Sequence, residues 1–433
     1  MGRASSLAIS GLLASTAAAA PGIPNLLKRQ GEATNSTSFS TITPSSELKW
    51  TQCFQHLNDN LQCSYLTVPL DYEKPEDGTV DIAYMRYLVS EDAEDLLFNP
   101  GGPGEQGTTQ VAQTGEEYAT KWGMNFVSFD PRGIGFSGPK VRCDYSGGNT
   151  TTPQRRQESS VTSNILSEAW EQNLKSNTAC SDANKDTEAK YVGTVANVQD
   201  MVHFTELQAA LRGKDPKTTL INYYGISYGT LIGQTLVALY PDRLRRVLLD
   251  GNVHGVSHYQ GWEPTGIDDL AHGIFMFAKL CFEAGPEWCK LAEGMNSIEE
   301  VNARLDAAME KLDKTPVQSP DGSPVNGARL STIWAGSMSH IRNGGGYGKI
   351  VNATLAVEND NLVEYLTEAA AASKSVGNLA DPTYKTSDML TIITAIDIAG
   401  RFPWKTYESW KAATMRLVAT AKYNSVGYAS SNG

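Results

Sequence analysis

Residues 225–229 read Gly-Ile-Ser-Tyr-Gly, with Ser227 two positions from a glycine on either side. A serine hydroxyl becomes a nucleophile only when a base removes its proton. The tetrahedral species that follows needs two backbone N–H groups aimed at its oxyanion. A sharp strand–turn–helix elbow exposes such a serine and supplies one donor, the amide of the next residue; the glycines let the backbone cross itself closely. The triplet alone recurs by chance, and without context Ser227 is a small residue in a tight loop. Its flanks give the context. Thr219 to Tyr224 reads as a buried strand and Leu231 to Leu239 as a helix. Ser227 is therefore the candidate nucleophile, with the Tyr228 amide as one oxyanion donor. The second donor must come from the loop after an earlier strand. Asn99-Pro100-Gly101-Gly102-Pro103-Gly104 follows the apolar run Leu96-Leu97-Phe98 and fits. Gly102 offers an amide with no side chain to obstruct a substrate, whereas Pro103 has no N–H and only shapes the turn.

The elements that must hold these loops alternate along the chain. Thr79–Val89, Leu96–Phe98, Asn125–Phe129, Thr219–Tyr224 and Arg246–Asp250 read as strands, and a helical pattern runs from about Glu188 to Leu211. Strands alternating with helices imply a mostly parallel sheet with helices on both faces. Such sheets place their sites at the carboxyl ends of strands, where the glycine-rich turns 99–104, 130–135 and 225–229 fall. From Val256 the texture changes. Residues 265–285, 297–313, 328–342 and 360–373 read as helices with no buried strand among them. Ser297-Ile298-Glu299-Glu300 is a capping-box start. The block reads as a helical lid inserted in the sheet domain. The expected division is 1–20 signal peptide, 21–46 disordered linker or propeptide, 47–255 sheet core, 256–400 lid and 401–433 the start of a return to the core. Gly133-Ile134-Gly135-Phe136-Ser137-Gly138 spells a dinucleotide fingerprint, but Pro139 and Cys143 follow with no helical pattern, so nucleotide binding is not expected.

Bulk properties narrow the class. The chain has 433 residues and a formal net charge of −12, which argues against a nucleic-acid partner. Arg3 precedes the apolar, Ala-rich run Leu7–Ala20, and no acid occurs before Glu32. That is the pattern of a secretory signal cleaved near Ala19 or Ala20. Lys28-Arg29 reads either as a dibasic processing site or as polar linker. No later stretch is long and apolar enough to cross a membrane. The cysteines, Cys53, Cys63, Cys143, Cys180, Cys281 and Cys289, suit an exported chain. Sequence does not choose among their pairings, although proximity favours Cys53–Cys63 and Cys281–Cys289, leaving Cys143–Cys180. Glycosylation sequons stand at Asn35, Asn149 and Asn352. No Cys-x-x-Cys is present, and neither a metal nor another cofactor is expected.

With these loops in this order, the chain resembles the secreted tripeptidyl and prolyl aminopeptidases, a family of α/β-hydrolase serine peptidases. The resemblance rests on CSYLTVPLDY (63–72), NPGGPG (99–104), FVSFDPRGIGFSGP (126–139), NYYGISYGTLIGQTLVALYPDRLRRVLLDG (222–251) and the helical lid, and runs from about residue 50 to 430. It implies an α/β-hydrolase fold, cleavage near peptide N-termini through an acyl-enzyme, and Gly102 and Tyr228 as the oxyanion hole. Asp130 and Arg132 match a family turn that is structural. Peptides or small esters are the implied substrates, with no nucleic acid and no membrane partner. Trp262, Glu263, Asp268 and Asp269 near the start of the lid could recognise a free α-amino group; the alternative is a solvated surface.

The triad order in this fold is Ser, then Asp or Glu, then His, and the family places the last two beyond the lid. The histidines are His56, His203, His254, His258, His272 and His340, and none follows the lid. His203 falls within a helix. His254 could approach the site from the end of a strand, at a position the family does not use. Asp388 and Asp397 are late acids, and Asp397 in ITAIDIAG resembles a family position at the lid's end, not the triad acid. The triad acid and His, with the C-terminal sheet strands, are therefore expected to be missing from this chain. Two readings follow: an aminopeptidase-type serine hydrolase, with a carboxylesterase as its variant, or an inactive truncated form. The truncated form would leave a mid-sheet strand as an open edge.

Overall fold

The computed structural model describes residues 39–143, 161–262, 270–320, 322, 324–338, 345–372 and 386–420. Residues 1–20, Lys28-Arg29, Asn35, Asn149, Glu263, Asp268, Asp269 and His340 lie outside them. The core begins with strands β1 (Thr51–Gln52), β2 (Leu61–Pro69), β3 (Thr79–Tyr87) and β4 (Asp95–Asn99). Helix α1 (Gly107–Trp122), β5 (Asn125–Phe129), α2 (Val161–Asn184) and α3 (Thr194–Leu211) follow. Then come β6 (Ile221–Ile226), α4 (Tyr228–Leu239) and β7 (Leu244–Asp250). They form one sheet in the order β1-β2-β3-β5-β4-β6-β7. The β2, β3 and β5 contacts are antiparallel, whereas β5, β4, β6 and β7 run parallel.

Side chains alternate across each strand, so the sheet has two apolar faces. Phe98, Phe126 and Tyr224 meet Val111 and Ala119 of α1 on one face. Leu97, Val127 and Tyr223 meet Val198, Phe204, Leu231 and Leu236 of α3 and α4 on the other. The chain therefore leaves β4 toward one face and β6 toward the opposite face. Adjacent strands whose connections diverge open a crevice at their carboxyl ends. Loop 99–104 and the turn 225–229 line that crevice.

The pattern expected as one helix over 188–211 is broken. Glu188–Tyr191 is a single tight turn, Gly193 is extended, and α3 starts at Thr194. The break has a tertiary cause: Asp397 Oδ1 accepts the Thr194 N–H at 2.8 Å and caps the helix from outside. At the far side of the sheet β7 is the outer strand among the described residues, with Leu248 50 % exposed.

After α5 (Gly255–Gln260) come α6 (Leu270–Ala284), α7 (Ile298–Lys314), α8 (Gly327–Met338), α9 (Gly345–Glu358) and α10 (Leu362–Ala372). α6 to α10 bury a cluster of their own around Phe277, Leu305, Trp334 and Ile350. A small hairpin, β8 (Val317–Gln318) with β9 (Pro324–Val325), sits in this block where no strand was expected. Helix α11 (Thr386–Ile398) returns to the sheet, contributing Met389, Ile392 and Ile393 to the face covered by α3 and α4. Helix α12 (Tyr407–Thr420) packs Trp410 on Trp170 of α2. Disulfides join Cys53–Cys63, Cys143–Cys180 and Cys281–Cys289, the set that proximity favours. Asn352 lies exposed on α9. Among the described residues no helix is long and apolar enough to cross a membrane.

Candidate active site

Ser227 stands between the end of β6 and the first residue of α4, at φ 54° and ψ −122°. A non-glycine residue there is strained and needs support on several sides. Its N–H donates to the Asp250 carbonyl of β7 at 3.0 Å. Its carbonyl accepts from the Thr230 N–H at 2.8 Å and the Thr230 hydroxyl at 2.6 Å. The flanking glycines are required by close backbone crossing. A Cβ on Gly225 would strike the Gly229 carbonyl, and one on Gly229 would lie 2.5 Å from the Asn99 carbonyl. The Tyr223 hydroxyl donates to the Gly229 carbonyl at 2.7 Å and locks the turn. Tyr228 opens α4, so its N–H belongs to the first helical turn, which has no intrahelical acceptor.

Loop 99–104 lies directly on this turn. A Cβ on Gly101 would stand 2.6 Å from the Ile226 carbonyl, 2.8 Å from Ser227 Cβ and 3.2 Å from the Tyr228 nitrogen. Gly101 and Gly102 have φ of 112° and 103°, values that glycine adopts readily. The buried Asn99 side chain accepts the Gly101 N–H at 3.0 Å. That bond occupies the Gly101 amide. Pro103 has none, so among residues 101–103 Gly102 carries the amide left for a ligand.

The loop is fixed at its far end too. Asp130 Oδ1 accepts from the N–H and hydroxyl of Thr108, at the start of α1, at 3.0 and 2.9 Å. Asp130 Oδ2 accepts the Phe136 N–H at 2.9 Å. Burial raises the Asp130 pKa to about 6, against these hydrogen bonds, which favour the carboxylate. Arg132 is fully buried; its Nε and one Nη donate to the two Asp200 oxygens at 2.8 Å, and its other bonds go to the carbonyls of Pro69, Leu70 and Tyr191. This turn holds the β2–β3 end of the sheet to α3. The dinucleotide-like 133–138 stretch is part of the same turn, and no helix follows it through Cys143.

The histidines take other places. His56 and His272 are exposed. His203 is half-buried against the Tyr72 ring, and burial lowers its pKa. His254 caps α5, its Nδ1 accepting the Ser257 N–H at 3.2 Å and lying 2.7 Å from the Ser257 hydroxyl. His258 pairs with Asp397, Nε2 to Oδ2 at 2.9 Å. Asp388 is buried and accepts the Cys143 N–H at 3.1 Å. Among the described residues, none of these groups hydrogen-bonds to the Ser227 hydroxyl. Trp262 packs edge-on to Trp404. No cluster of described His, Cys, Asp or Glu could hold a metal. A cavity of about 290 Å³ opens between Phe204, Gln208, Leu220 and Ile221. It lies at the amino end of β6, away from Ser227.

Sequence reasoning missed two features. Asn99 was read as part of a loop, although an Asn before Pro-Gly-Gly is a residue that can bind its own backbone two positions on. The His258–Asp397 pair spans 139 residues and carries no local signal.

A sheet with a parallel half (β5, β4, β6 and β7), divergent helices, a strained serine elbow and a glycine loop against it is the arrangement of the α/β-hydrolase fold. The chain is similar in sequence to serine peptidases. It is 24 % identical over 380 residues to the tripeptidyl aminopeptidase of Streptomyces lividans, covering 83 % of this chain and 65 % of that protein. It is 31 % identical over 356 residues to the serine protease Hip1 of Mycobacterium tuberculosis, covering 79 % of this chain and 62 % of that one. The chain thus spans a little under two thirds of the length of these relatives. A shorter match, 32 % over 103 residues and 22 % of this chain, is to the carboxylesterase B of M. tuberculosis, of which it covers 20 %. No family model matches the chain. Among solved structures, a putative α/β hydrolase from Nostoc sp. PCC 7120 overlaps 78 % of this chain and 72 % of its own, at a TM-score of 0.27 and 11 % identity. Overlap of that size adds nothing to the topology described above.

Proposed function

We propose that this chain is a secreted serine hydrolase that cleaves peptides near their N-termini, with Ser227 as nucleophile and the Gly102 and Tyr228 amides as oxyanion hole. The observation that carries the reading is the strained Ser227 turn with the Gly101 backbone pressed against it. Nothing about chain packing alone requires both a positive-φ serine and a glycine loop whose first amide is already occupied. The peptidase relatives support a peptide substrate, and residues 1–20 and the sequon at the exposed Asn352 support export and glycosylation. A carboxylesterase is the variant favoured by the carboxylesterase B match. An inactive form is the second reading, favoured by the lack of any described histidine bonded to Ser227.

One experiment separates these. The chain is treated with a fluorophosphonate and assayed on free and N-acetylated peptides and on p-nitrophenyl esters. Where a base reaches Ser227, labelling at Ser227, lost in Ser227→Ala, with preference for free N-termini, is the expected result. Ester turnover alone selects the esterase. An unlabelled, inert wild-type chain selects the inactive form.

A further inference from the structure

Tyr228 presents its amide to the elbow and its side chain to the interior, where it is 2 % exposed. Its hydroxyl lies 2.6 Å from the Thr194 hydroxyl. Thr194 also donates twice to Asp397, from its N–H to Oδ1 at 2.8 Å and from its hydroxyl to Oδ2 at 2.6 Å. A threonine hydroxyl has one proton. With that proton on the carboxylate side, the Thr194 oxygen accepts from Tyr228. The direction of the relay is thereby set: Tyr228 to Thr194 to Asp397. His258 Nε2 closes it at 2.9 Å from the same carboxylate oxygen.

Asp397 is 4 % exposed, and no Lys or Arg among the described residues pairs with its carboxylate. Arg401 reaches only its backbone carbonyl. Its oxygens are met instead by the Thr194 donors at the N-terminal end of α3 and by His258. Gly193 makes the approach possible, since a Cβ there would lie 3.1 Å from Asp397 Oδ1 and 2.9 Å from Ile396 Cγ2. A helix cap needs one acceptor oxygen. Here the second oxygen serves a hydroxyl relay that ends on the residue after Ser227.

The two acidic and basic members also stand at the two roots of the lid. His258 is on α5, by which the chain leaves the sheet, and Asp397 is on α11, by which it returns. Arg401 Nε donates to the Tyr259 carbonyl at 3.0 Å, and Gly261 lies against Ile398, so the C-terminal ends of the two helices and the residues just past them meet at three points. Tyr259 in turn lies 2.8 Å, hydroxyl to hydroxyl, from Thr235 of α4. Both roots therefore converge on the helix that carries Tyr228.

We propose that Asp397 is a positioning residue: through Thr194 and the Tyr228 hydroxyl, and clamped by His258, it sets the Tyr228 amide and couples both roots of the lid to the oxyanion site. The proposal rests on Tyr228 being an oxyanion donor.

The test uses Thr194→Val, Thr194→Ser, Tyr228→Phe and Asp397→Asn in the whole chain. Two quantities are read: the rate of fluorophosphonate labelling at Ser227, and hydrogen exchange across residues 226–232. Thr194→Val and Tyr228→Phe should each slow labelling about tenfold, a fraction of the 10²–10³ that removing an oxyanion donor outright costs. Thr194→Ser, which keeps the hydroxyl, should restore the wild-type rate. Exchange across 226–232 should quicken in Thr194→Val while that of β2 and β3 stays unchanged. A helix cap alone predicts no difference between valine and serine in labelling, because the Thr194 N–H survives in both; that outcome overturns the proposal. A wild-type chain that does not label overturns the Ser227 reading separately. Exchange then decides, and unchanged exchange in Thr194→Val and Tyr228→Phe sinks the relay. The single-hydroxyl variants keep the question answerable if Asp397→Asn does not fold.

Discussion

At the elbow, backbone lies on backbone: Gly229 on the Asn99 carbonyl, Gly101 on Ile226 and Ser227, Gly107 on Phe129. Buried polar groups surround these crossings and fix the elements around them, among them Asn99, Asp130, Arg132, Asp200 and Asp397. In the helical block α6–α10, read from sequence as a lid, the helices meet mainly through side chains, with few backbone contacts such as Gly327 beside the Met309 carbonyl and Lys311 on the Val357 carbonyl. α7 buries Val301, Leu305, Ala308 and Leu312, a plain helical stripe, and its buried polar neighbours are hydroxyls such as Ser331 and Thr354 that bond within their own helices. The contrast separates two demands. A site needs backbone amides held to fractions of an ångström, which hydrogen bonds and glycine contacts provide. A cover needs shape and apolar area, which many sequences provide.

The largest expected effect tests whether the two regions fold as one. Arg132→Met leaves Asp200 buried without its cation, and breaking a buried pair in this way costs about 3–5 kcal/mol. The sheet region should lose that much stability, together with Ser227 labelling. The lid shares no member of this network, so its hydrogen-exchange protection should persist when the sheet region opens. Loss of protection in α7 and α9 in step with β3 and β6 would break the comparison, making the molecule one cooperative unit.

A smaller effect follows from Asp130. Its folded pKa is about 6, above the unfolded value of 3.8. A raised carboxyl pKa means that the folded state favours the protonated form. That contribution to stability is present below pH 3.8 and is lost as pH rises through 6. Two units correspond to on the order of 3 kcal/mol. Denaturant unfolding of wild type should therefore show stability falling from this group between pH 4 and 6.5. Asp130→Asn does not titrate, and it forfeits the bond from the Phe136 N–H. Its deficit against wild type should be greatest near pH 4 and shrink as pH rises. A deficit that is constant across this range would show that Asp130 stays ionised, and that the polar turn is less dry than its burial suggests.

The same contrast governs what could be read from sequence. The elbow and loop 99–104 were legible because the backbone crossings admit only glycine, and glycine spacing survives in one dimension. The strand Asn125–Phe129 and the helices at 270–284 and 298–314 were legible because periodicity is local. α1 was not, since Gly107–Trp122 is mostly polar and small, without a strong stripe. α11 was not, because Thr386–Ile398 is apolar on several sides and lies between sheet and lid. β2 was seen only as a matching segment; its nine residues form a strand by pairing with β3. The positions of His258 and Asp397 depend on two helices that meet after the whole lid has been traversed. No local pattern encodes that meeting.

The smallest effect sharpens the lid's side of the comparison. Ser297 precedes α7 in an extended conformation, and its hydroxyl accepts the Glu300 N–H at 3.2 Å. The Glu300 carboxylate reaches back past Ser297 to the Asn296 N–H at 2.7 Å, one residue further than the capping box expected from sequence. One first-turn donor, the Glu300 N–H, and the Asn296 N–H just before the cap are thereby satisfied at an exposed helix start, and Glu299 and Glu300 favour the positive end of the helix. Ser297→Ala removes one acceptor and should cost about 1 kcal/mol, whereas Ser297→Gly should cost only a few tenths. The loss should fall on the lid alone, as faster exchange in the first turns of α7, with Ser227 labelling at the wild-type rate. If labelling slowed in proportion, lid stability would be reaching the elbow through α5 and α11, and the cover would be part of the site's geometry.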